Sequence, residues 1–135
     1  MTTQYKTFSG VAKWARLRSP NKYGKYSIDL YVDAETRKAI RGLGSRLTAK
    51  EDDDGFYYTF RRDHEKVMGK KTVELGTPEV IYDGEDFEGY VGNGSHVTVT
   101  VEVYKWSNAE HGEGVGVRLI KVNIDELVEW VPENK

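Results

Sequence analysis

The stretch that decides the fold is Ser95-His96-Val97-Thr98-Val99-Thr100-Val101-Glu102-Val103-Tyr104-Lys105-Trp106, followed by Val115-Gly116-Val117-Arg118-Leu119-Ile120-Lys121-Val122. Valine occupies every second position from residue 97 to 103, and such alternation of β-branched with polar residues is typical of a half-buried strand. The turn signal Val91-Gly92-Asn93-Gly94-Ser95 precedes it, and residues 107–114 read as a loop. The sequence therefore predicts a long β-hairpin with a core wall of valines.

The face of this hairpin opposite the valines carries Tyr104 and Trp106. Alternation on the returning strand places Gly116 and Arg118 on the same side. Two aromatic rings and a guanidinium on one patch suit flat, anionic ligands such as the bases and phosphates of a nucleic acid. An amphipathic sheet surface with ordinary cross-strand aromatic pairs gives the same pattern. The hairpin alone leaves both interpretations open.

The composition indicates one small domain. A chain of 135 residues can bury about two-thirds of its unfolded surface, so it needs no disulfide or metal to fold. It contains no cysteine, which excludes disulfides, thiolate catalysis and sulfur-based zinc sites. No apolar run near the N-terminus has signal-peptide length, and no segment approaches the roughly 18 apolar residues of a membrane span.

The charge is distributed unevenly along the chain. Its net value of −2 disfavours nucleic acid at first sight, because binding to a phosphate backbone depends on Lys and Arg. Residues 1–50, however, hold eleven Lys and Arg against three acids, a net of +8, so the remainder carries −10. Since surface charges act over a Debye length of about 8 Å, a basic groove can coexist with an acidic face. Chance asymmetry of a solvated surface is the alternative.

The first half of the chain predicts a hairpin followed by a helix. Residues 5–17 read as a long strand with a bulge or bend at Gly10, and residues 25–32 read as a second strand. Asp33 is expected to cap a structural helix over residues 34–47.

The second half predicts shorter strands between acidic loops. Residues 56–62, four aromatics followed by two arginines, read as one strand, and residues 73–82 as another that is broken by Gly76-Thr77-Pro78. Residues 63–71 between them read as a mobile basic loop. Acidic loops are expected at 49–55 and 83–89. A last strand or docked segment follows residue 124.

The order of these elements predicts a mainly β protein with an OB fold. Five or more strands, one helix after the second strand and a long final hairpin fit a five-stranded, partly open barrel with an extra hairpin or loop insertion. We expect a single OB-fold domain over residues 1–131 and a short C-terminal tail over residues 132–135. Such barrels bind nucleic acid across their strand faces and loops.

Three motifs carry a more specific resemblance. They are Gly10-Val11-Ala12-Lys13-Trp14-Ala15, Val91-Gly92-Asn93-Gly94-Ser95, and Gly114-Val115-Gly116-Val117-Arg118-Leu119 leading into Val122 and Leu127-Val128. In their order and spacing they resemble the bacteriophage replication single-stranded-DNA-binding proteins, and they span most of the chain.

The resemblance implies a protein in the cytoplasm of an infected bacterial host that coats single strands during phage DNA replication, recombination and repair. It implies single-stranded DNA and phage replication proteins as partners, no membrane and no cofactor, and it leaves open whether the protein is a monomer or a dimer. Members of this group often carry a free acidic C-terminal tail. This chain ends in Pro132-Glu133-Asn134-Lys135, so recruitment of partners by such a tail is not expected from these residues.

We expect binding that is independent of base sequence, because rings stack on any base at about 1 to 3 kcal/mol each while Lys and Arg hold the phosphates. A buried core ring is the alternative for Trp14, and an ordinary exposed loop ring the alternative for Tyr23. The residues expected to stack on bases are Trp14, Tyr23, Tyr57, Tyr104 and Trp106. The residues expected to contact phosphates are Lys13, Arg16, Arg18, Lys22, Lys25, Arg61, Arg62 and Arg118.

Other functions remain as alternatives. A metal-dependent nuclease could use Asp52-Asp53-Asp54 or Asp63-His64-Glu65, but adjacent side chains of an extended loop point apart and the three histidines lack metal-ligand spacing. We therefore expect no catalytic residue, no metal site and no enzyme. An OB-fold protein-interaction or phage assembly module could use the aromatic face as a partner interface. RNA is a further alternative ligand, since stacking does not discriminate it from DNA.

Overall fold

The computed structural model describes residues 4–18, 20–45, 47–68, 70–108, 110 and 112–128. Within these ranges the protein is mainly β with one helix, as predicted. The elements are β1 (Gln4–Arg16), β2 (Lys25–Tyr31), α1 (Ala34–Arg41), β3 (Lys50–Asp52), β4 (Gly55–Asp63), β5 (Glu65–Met68), β6 (Lys71–Glu74), β7 (Glu79–Tyr82), β8 (Glu85–Asp86), β9 (Ser95–Asn108) and β10 (Gly112–Glu126). The ranges contain no helix of the length and hydrophobicity that a bilayer span needs.

Eight of the described strands form one mixed sheet in the order β3-β4-β2-β1-β9-β10-β7-β8, and β5 pairs only with β6. Strands β7 and β10 are parallel, and the other neighbours are antiparallel. Among the described strands this ladder does not close on itself, so the five-stranded barrel is not confirmed. The Arg62 side chain, rather than a strand ladder, links β4 to β10 by donating from Nη1 to the Leu119 carbonyl oxygen at 3.3 Å.

The long final hairpin is confirmed. Strands β9 and β10 pair from their connecting turn to His96 and Glu126, with register shifts after Leu119 and Ile124. Three of the four valines expected in the core wall are fully buried: Val97, Val99 and Val101. The fourth, Val103, is half-buried and packs against the core. The second strand is longer than predicted, because the pairing begins at Gly112 and not at residue 115.

Strand β1 contains a bulge, but not at the predicted Gly10. Its pairing with β2 is irregular between Lys13 and Arg16, where Trp14 has a φ of 51°. Before the bulge the even positions Phe8 and Ala12 face inward, whereas after it the odd position Leu17, the residue following β1, is buried. Gly10 instead permits a close backbone approach. A Cβ atom there would lie 2.1 Å from the Tyr31 carbonyl oxygen.

Helix α1 begins where predicted and ends earlier. The Asp33 carboxylate accepts a hydrogen bond from the Thr36 amide at 2.8 Å, and this bond holds the pKa of Asp33 below its usual value. The helix stops at Arg41 rather than at residue 47. Gly42 caps it. Gly44 adopts a φ of 76°, a left-handed conformation that cannot continue a right-handed helix.

The predictions for residues 63–128 are confirmed in part. Residues 63–71 are not a loop throughout, because β5 and β6 form a hairpin there. The break predicted within residues 73–82 is confirmed, because β6 ends at Glu74 and β7 begins at Glu79. Of the two alternatives left open after residue 124, β10 continues to Glu126, and the described chain then docks at Val128, whose carbonyl oxygen accepts from the Gly92 amide at 2.8 Å. The predicted tail, residues 132–135, lies outside the described residues.

Candidate nucleic-acid interface

The open side of strands β1, β2 and β4 is the candidate interface. Directly opposed residues of antiparallel strands project to the same side, and the other side of these strands holds the buried core residues Ile28, Leu30 and Phe60. We call the solvent side of the three strands the outer face. Its residues are Val11, Lys13, Arg16, Lys25, Ser27, Asp29, Tyr31, Tyr57, Thr59, Arg61 and Asp63. The fold therefore brings five predicted site residues together on adjoining strands: Lys13, Arg16, Lys25, Tyr57 and Arg61.

Two arginines form one row of the outer face. Arg16 of β1 stands opposite Ser27 of β2, and Ser27 stands opposite Arg61 of β4. Both arginine side chains are exposed. Because neighbouring strands lie about 4.8 Å apart, the two Cα atoms are roughly 10 Å apart. Two long cationic side chains at this spacing can hold the backbone of a single nucleic-acid strand.

The next feature of the outer face is a pair of tyrosines. The rings of Tyr31 and Tyr57 lie 4.8 Å apart between centroids, tilted by 32°. Tyr31 is buried and Tyr57 is half-buried. The Tyr31 hydroxyl donates a hydrogen bond to the Asp52 carboxylate. Burial and this carboxylate raise the pKa of Tyr31, and the same hydroxyl lowers the pKa of Asp52.

Lys13 lies beside this pair and is already bound to an acid. Its ammonium group pairs with the Asp54 carboxylate and lies 5.0 Å from the centroid of the Tyr31 ring. The hydrogen bond to Asp54 raises the pKa of Lys13. Asp29 is also on this face, where it accepts from the Thr59 hydroxyl at 2.6 Å. The basic groove and the acidic loop that the sequence suggested as separate regions thus meet here.

Trp14 lies at the surface and not in the core, since its side chain is 69% exposed. Trp14 and Ala15 together stand in the bulge opposite Ile28, between the Lys13–Asp29 and Arg16–Ser27 pairs. The Trp14 amide donates to Oδ1 of Asn93 at 2.8 Å. Local alternation would have turned the ring inward with Phe8 and Ala12, and the bulge turns it outward.

The turn between β1 and β2 adds further cations and a ring at the end of the outer face. Arg18, Lys22 and Tyr23 are exposed, Tyr23 by 72%. The Lys22 ammonium lies 5.1 Å from the Tyr23 ring centroid, and the Arg18 guanidinium lies 5.7 Å from that of Tyr90. Lys25, which begins β2, pairs with Asp63 at 3.4 Å.

The second aromatic group, Tyr104 and Trp106, lies on the distal part of the β9–β10 hairpin. The β1–β9 ladder runs from Ala12–Ser95 to Gln4–Val103, so both rings lie beyond the end of β1. Tyr104 lies nine positions after Ser95, about 30 Å along an extended strand. The structure therefore divides the predicted stacking residues between two ends of β9.

We call Tyr104, Trp106 and Arg118 the distal patch, and two glycines shape it. The Tyr104 ring lies against Gly116, where a Cβ atom would be 2.3 Å from the ring, and the Trp106 ring lies against Gly114 in the same way, at 2.2 Å. Arg118 packs on the Tyr104 ring, 4.9 Å from its centroid, and pairs with Glu102 at 2.6 Å. The predicted grouping on one side of the hairpin is therefore present, but Arg118 already has an acidic partner.

Arg62 is placed differently from Arg61. Its guanidinium donates to three backbone carbonyl oxygens, those of Leu75, Gly76 and Leu119. Burial, followed by the neighbouring charge of Arg118, lowers its pKa. These bonds favour a structural role for Arg62 in joining β4 to β10 and the chain before β7.

The residues of the nuclease alternative are engaged elsewhere. Asp63 pairs with Lys25, and His64 Nδ1 lies 2.8 Å from the Tyr26 hydroxyl. Within the described ranges, no three His, Asp or Glu side chains are grouped so that they could hold a metal ion.

Two residues of the site were missed in the sequence. Tyr31 supports Tyr57, and alternation with Ile28, Leu30 and Val32 could have placed it on the outer face. Asn93 was read only as part of a turn, and its contact with Trp14 spans 79 positions of sequence, which no local pattern indicates.

No family model and no curated protein matches the chain. Among solved structures, gp2.5, a single-stranded DNA binding protein encoded by bacteriophage T7, is similar with a TM-score of 0.70 and 17% identity, covering 98% of this chain and 91% of that one. The single-stranded DNA-binding protein from bacteriophage Enc34 has a TM-score of 0.61 at 15% identity over 97% and 86% of the two chains. Its complex with ssDNA gives 0.61 at 16% over 93% and 88%. The expected resemblance to phage single-stranded-DNA-binding proteins is therefore confirmed for the fold.

Proposed function

We propose that the protein binds single-stranded DNA, independently of base sequence, on the outer face and on the adjoining β1–β2 turn. The observation that carries this proposal is the convergence of exposed cations and rings on three adjacent strands. The fold adds support, since it is shared with phage proteins that bind single-stranded DNA, one of them in complex with ssDNA.

The two halves of a nucleotide would be bound by different side chains. Arg16 and Arg61 contact phosphates along the row through Ser27, and Lys13 contacts another once it leaves Asp54. The exposed Trp14 ring and the Tyr57 ring stack on bases, each contributing about 1 to 3 kcal/mol. The β1–β2 turn adds Arg18 and Lys22 for phosphates and Tyr23 for a base. Because stacking uses the face of a base and not its edge, any base is accepted.

The distal patch provides a second contact region for longer strands. Trp106 stacks on a base there. The Tyr104 ring is covered by the Arg118 guanidinium. Arg118 contacts a phosphate in competition with Glu102, so we assign it a smaller contribution. Lys25, at the start of β2 and away from this patch, is treated in the same way because it competes with Asp63. Arg62 remains a structural residue.

The biological role that we propose is the protection of single strands during phage DNA replication, recombination and repair, in the cytoplasm of the infected host. The protein acts by binding and not by catalysis, and it meets phage replication proteins on the strand. Residues 1–131 act as one domain in this role.

Fluorescence anisotropy with a labelled oligo-dT of roughly 12 nucleotides, within the usual site sizes of OB folds, tests the proposal. We expect the logarithm of affinity to fall linearly with the logarithm of salt concentration. Arg16→Ala and Arg61→Ala should each reduce the salt slope by about 1, while Arg41→Ala, at an exposed position of α1, leaves it unchanged.

Absence of binding by the wild-type protein at low salt would favour the protein-interaction alternative. Shortened DNA after incubation with magnesium or manganese would favour the nuclease alternative.

A further inference from the structure

The turn formed by residues 92–95 holds strand β1 on both sides of Lys13. The Gly94 amide donates to the Ala12 carbonyl oxygen at 2.9 Å, and Asn93 Oδ1 accepts from the Trp14 amide at 2.8 Å. One contact precedes Lys13 in the chain and the other follows it. This turn, which we call the Asn93 bracket, therefore fixes the backbone that carries one proposed phosphate contact and one proposed stacking ring.

The Asn93 bracket is itself anchored from behind. Ser95 is fully buried, and its hydroxyl donates to the Gly92 carbonyl oxygen at 2.9 Å while accepting from the Val128 amide at 2.8 Å. The Gly92 amide in turn donates to the Val128 carbonyl oxygen at 2.8 Å. Because these bonds tie the bracket to the chain after β10, Asn93 is a fixed acceptor for the bulge.

Trp14 needs such an acceptor. In the bulge, Trp14 and Ala15 face one residue of β2, so the regular ladder is interrupted at this point. A φ of 51° is also disfavoured for a residue with a side chain, since Cβ then approaches the following carbonyl oxygen. The bond from the Trp14 amide to Asn93 satisfies the donor and stabilises the backbone conformation that turns the indole to solvent.

Resting on the proposed function, we propose that Asn93 is a positioning residue for single-stranded DNA, which holds Trp14 for stacking and Lys13 for a phosphate. In this role Asn93 acts through the conformation of β1 and not by touching DNA. A simple turn residue would only connect residue 91 to β9, and its side chain would have no influence on Trp14.

A double-mutant cycle tests this role, with affinity for a labelled oligo-dT as the readout. Asn93→Ala should weaken binding at least about threefold, since residues in direct contact couple measurably. Trp14→Ala should weaken it roughly 5- to 150-fold through the lost stacking. In the Trp14→Ala background, Asn93→Ala should have a smaller effect than in the wild type, because only the positioning of Lys13 remains to be lost. Asn123→Ala, at an exposed position of β10, is the matched control and should bind as the wild type does.

Hydrogen exchange of the Trp14 amide in the free protein provides a readout that does not depend on DNA. We expect faster exchange in Asn93→Ala, with unchanged protection of the β9–β10 ladder. Asn93→Asp keeps an oxygen acceptor at the same place and should retain the protection, which also makes the test possible if the alanine variant folds poorly.

The outcomes separate the two proposals. If the wild-type protein binds DNA but Asn93→Ala binds equally well, or if its effect adds fully to that of Trp14→Ala, the positioning role is overturned and the proposed function stands. Unchanged exchange of the Trp14 amide in Asn93→Ala also overturns it. If the wild type binds no DNA, the proposed function is overturned together with this role.

Discussion

The Cα atom of Gly10 lies so close to the Tyr31 carbonyl oxygen that a Cβ atom on residue 10 would be 2.1 Å from it. This contact joins β1 to β2 just before the residues that form the outer face. The contact sets the distance between these two paired strands, and thereby the positions of Lys13 and Arg16 relative to β2. The absence of a side chain at residue 10 is thus a condition for the geometry of the interface.

Gly10→Ala should destabilise the protein by about 1 to 3 kcal/mol, because the added methyl group meets a backbone atom that cannot rotate away. Denaturant unfolding measures the change. The control is Gly42→Ala at the end of α1, where the nearest atom would be 3.4 Å from the new Cβ. That variant should be neutral or more stable by up to about 1 kcal/mol, and equal effects at the two sites would contradict the contact.

Trp14→Gly should separate stability from binding. Glycine adopts positive φ without the steric cost that Trp14 bears, so the free energy of unfolding should rise by about 1 kcal/mol. The affinity for single-stranded DNA should fall, because the exposed ring is lost. Urea unfolding and anisotropy measure the two effects.

Trp14→Phe, which keeps a ring and the same backbone strain, is the control for this variant and should lie close to the wild type in both measurements. If Trp14→Gly is less stable than the wild type and binds single-stranded DNA equally well, the strained conformation of Trp14 does not serve DNA binding.

Asp54→Asn should strengthen binding to single-stranded DNA. The Lys13 ammonium loses its acidic partner and becomes available to a phosphate, with an expected gain of roughly two- to fivefold, the range of an exposed ion pair. The control is Asp53→Asn, which removes one negative charge from the same turn and leaves Asp54 paired with Lys13. If both variants gain equally, the effect is one of net charge, and the specific contact is contradicted.

The bond between Tyr31 and Asp52 should make stability depend on pH in two ranges. The lowered pKa of Asp52 stabilises the fold above pH 3.8, and this contribution disappears as pH falls through the folded value. Burial, followed by the bond to Asp52, raises the pKa of Tyr31. This stabilises the fold below pH 10.0, and the contribution disappears as pH rises through the folded value. Tyr31→Phe should therefore have a lower Tm than the wild type between these limits, with a smaller difference outside them.

Thermal unfolding across the acid range tests this pH dependence. Tyr57→Phe keeps the ring that packs on Tyr31 and should preserve the wild-type profile. A difference between wild type and Tyr31→Phe that stays constant down to pH 2 would contradict the hydrogen bond as its source.

The sequence predicted those parts of the fold that depend on residues close to one another in the chain. The alternation of Val97, Val99 and Val101 identified a half-buried strand, because period two directs every second side chain into the core. The Asp33 cap marked the start of α1, since its carboxylate bonds an amide only three residues away. The grouping of Tyr104 with Arg118 followed from the same alternation across a hairpin.

The parts that were misplaced depend on contacts between distant residues. The bulge lies at Trp14 rather than at Gly10. The Trp14 amide donates a hydrogen bond to Asn93, a residue from another part of the chain. The acidic turn was expected away from the cations, yet Asp54 reaches Lys13 across 41 positions of sequence. Arg62 resembles Arg61 in the sequence, and only the carbonyl groups of Leu75, Gly76 and Leu119 distinguish their roles.

Chemical-shift mapping by NMR shows which surface of the protein DNA contacts. We would follow the backbone amides and tryptophan indoles of the ¹⁵N-labelled protein while adding an oligo-dT of roughly 12 nucleotides. We expect the largest shifts at the Trp14 indole and in β1, β2 and β4 around Lys13, Arg16, Tyr57 and Arg61, with little change in β7 and β8. Shifts confined to β7 and β8, with the Trp14 indole unmoved at saturation, would contradict binding on the outer face.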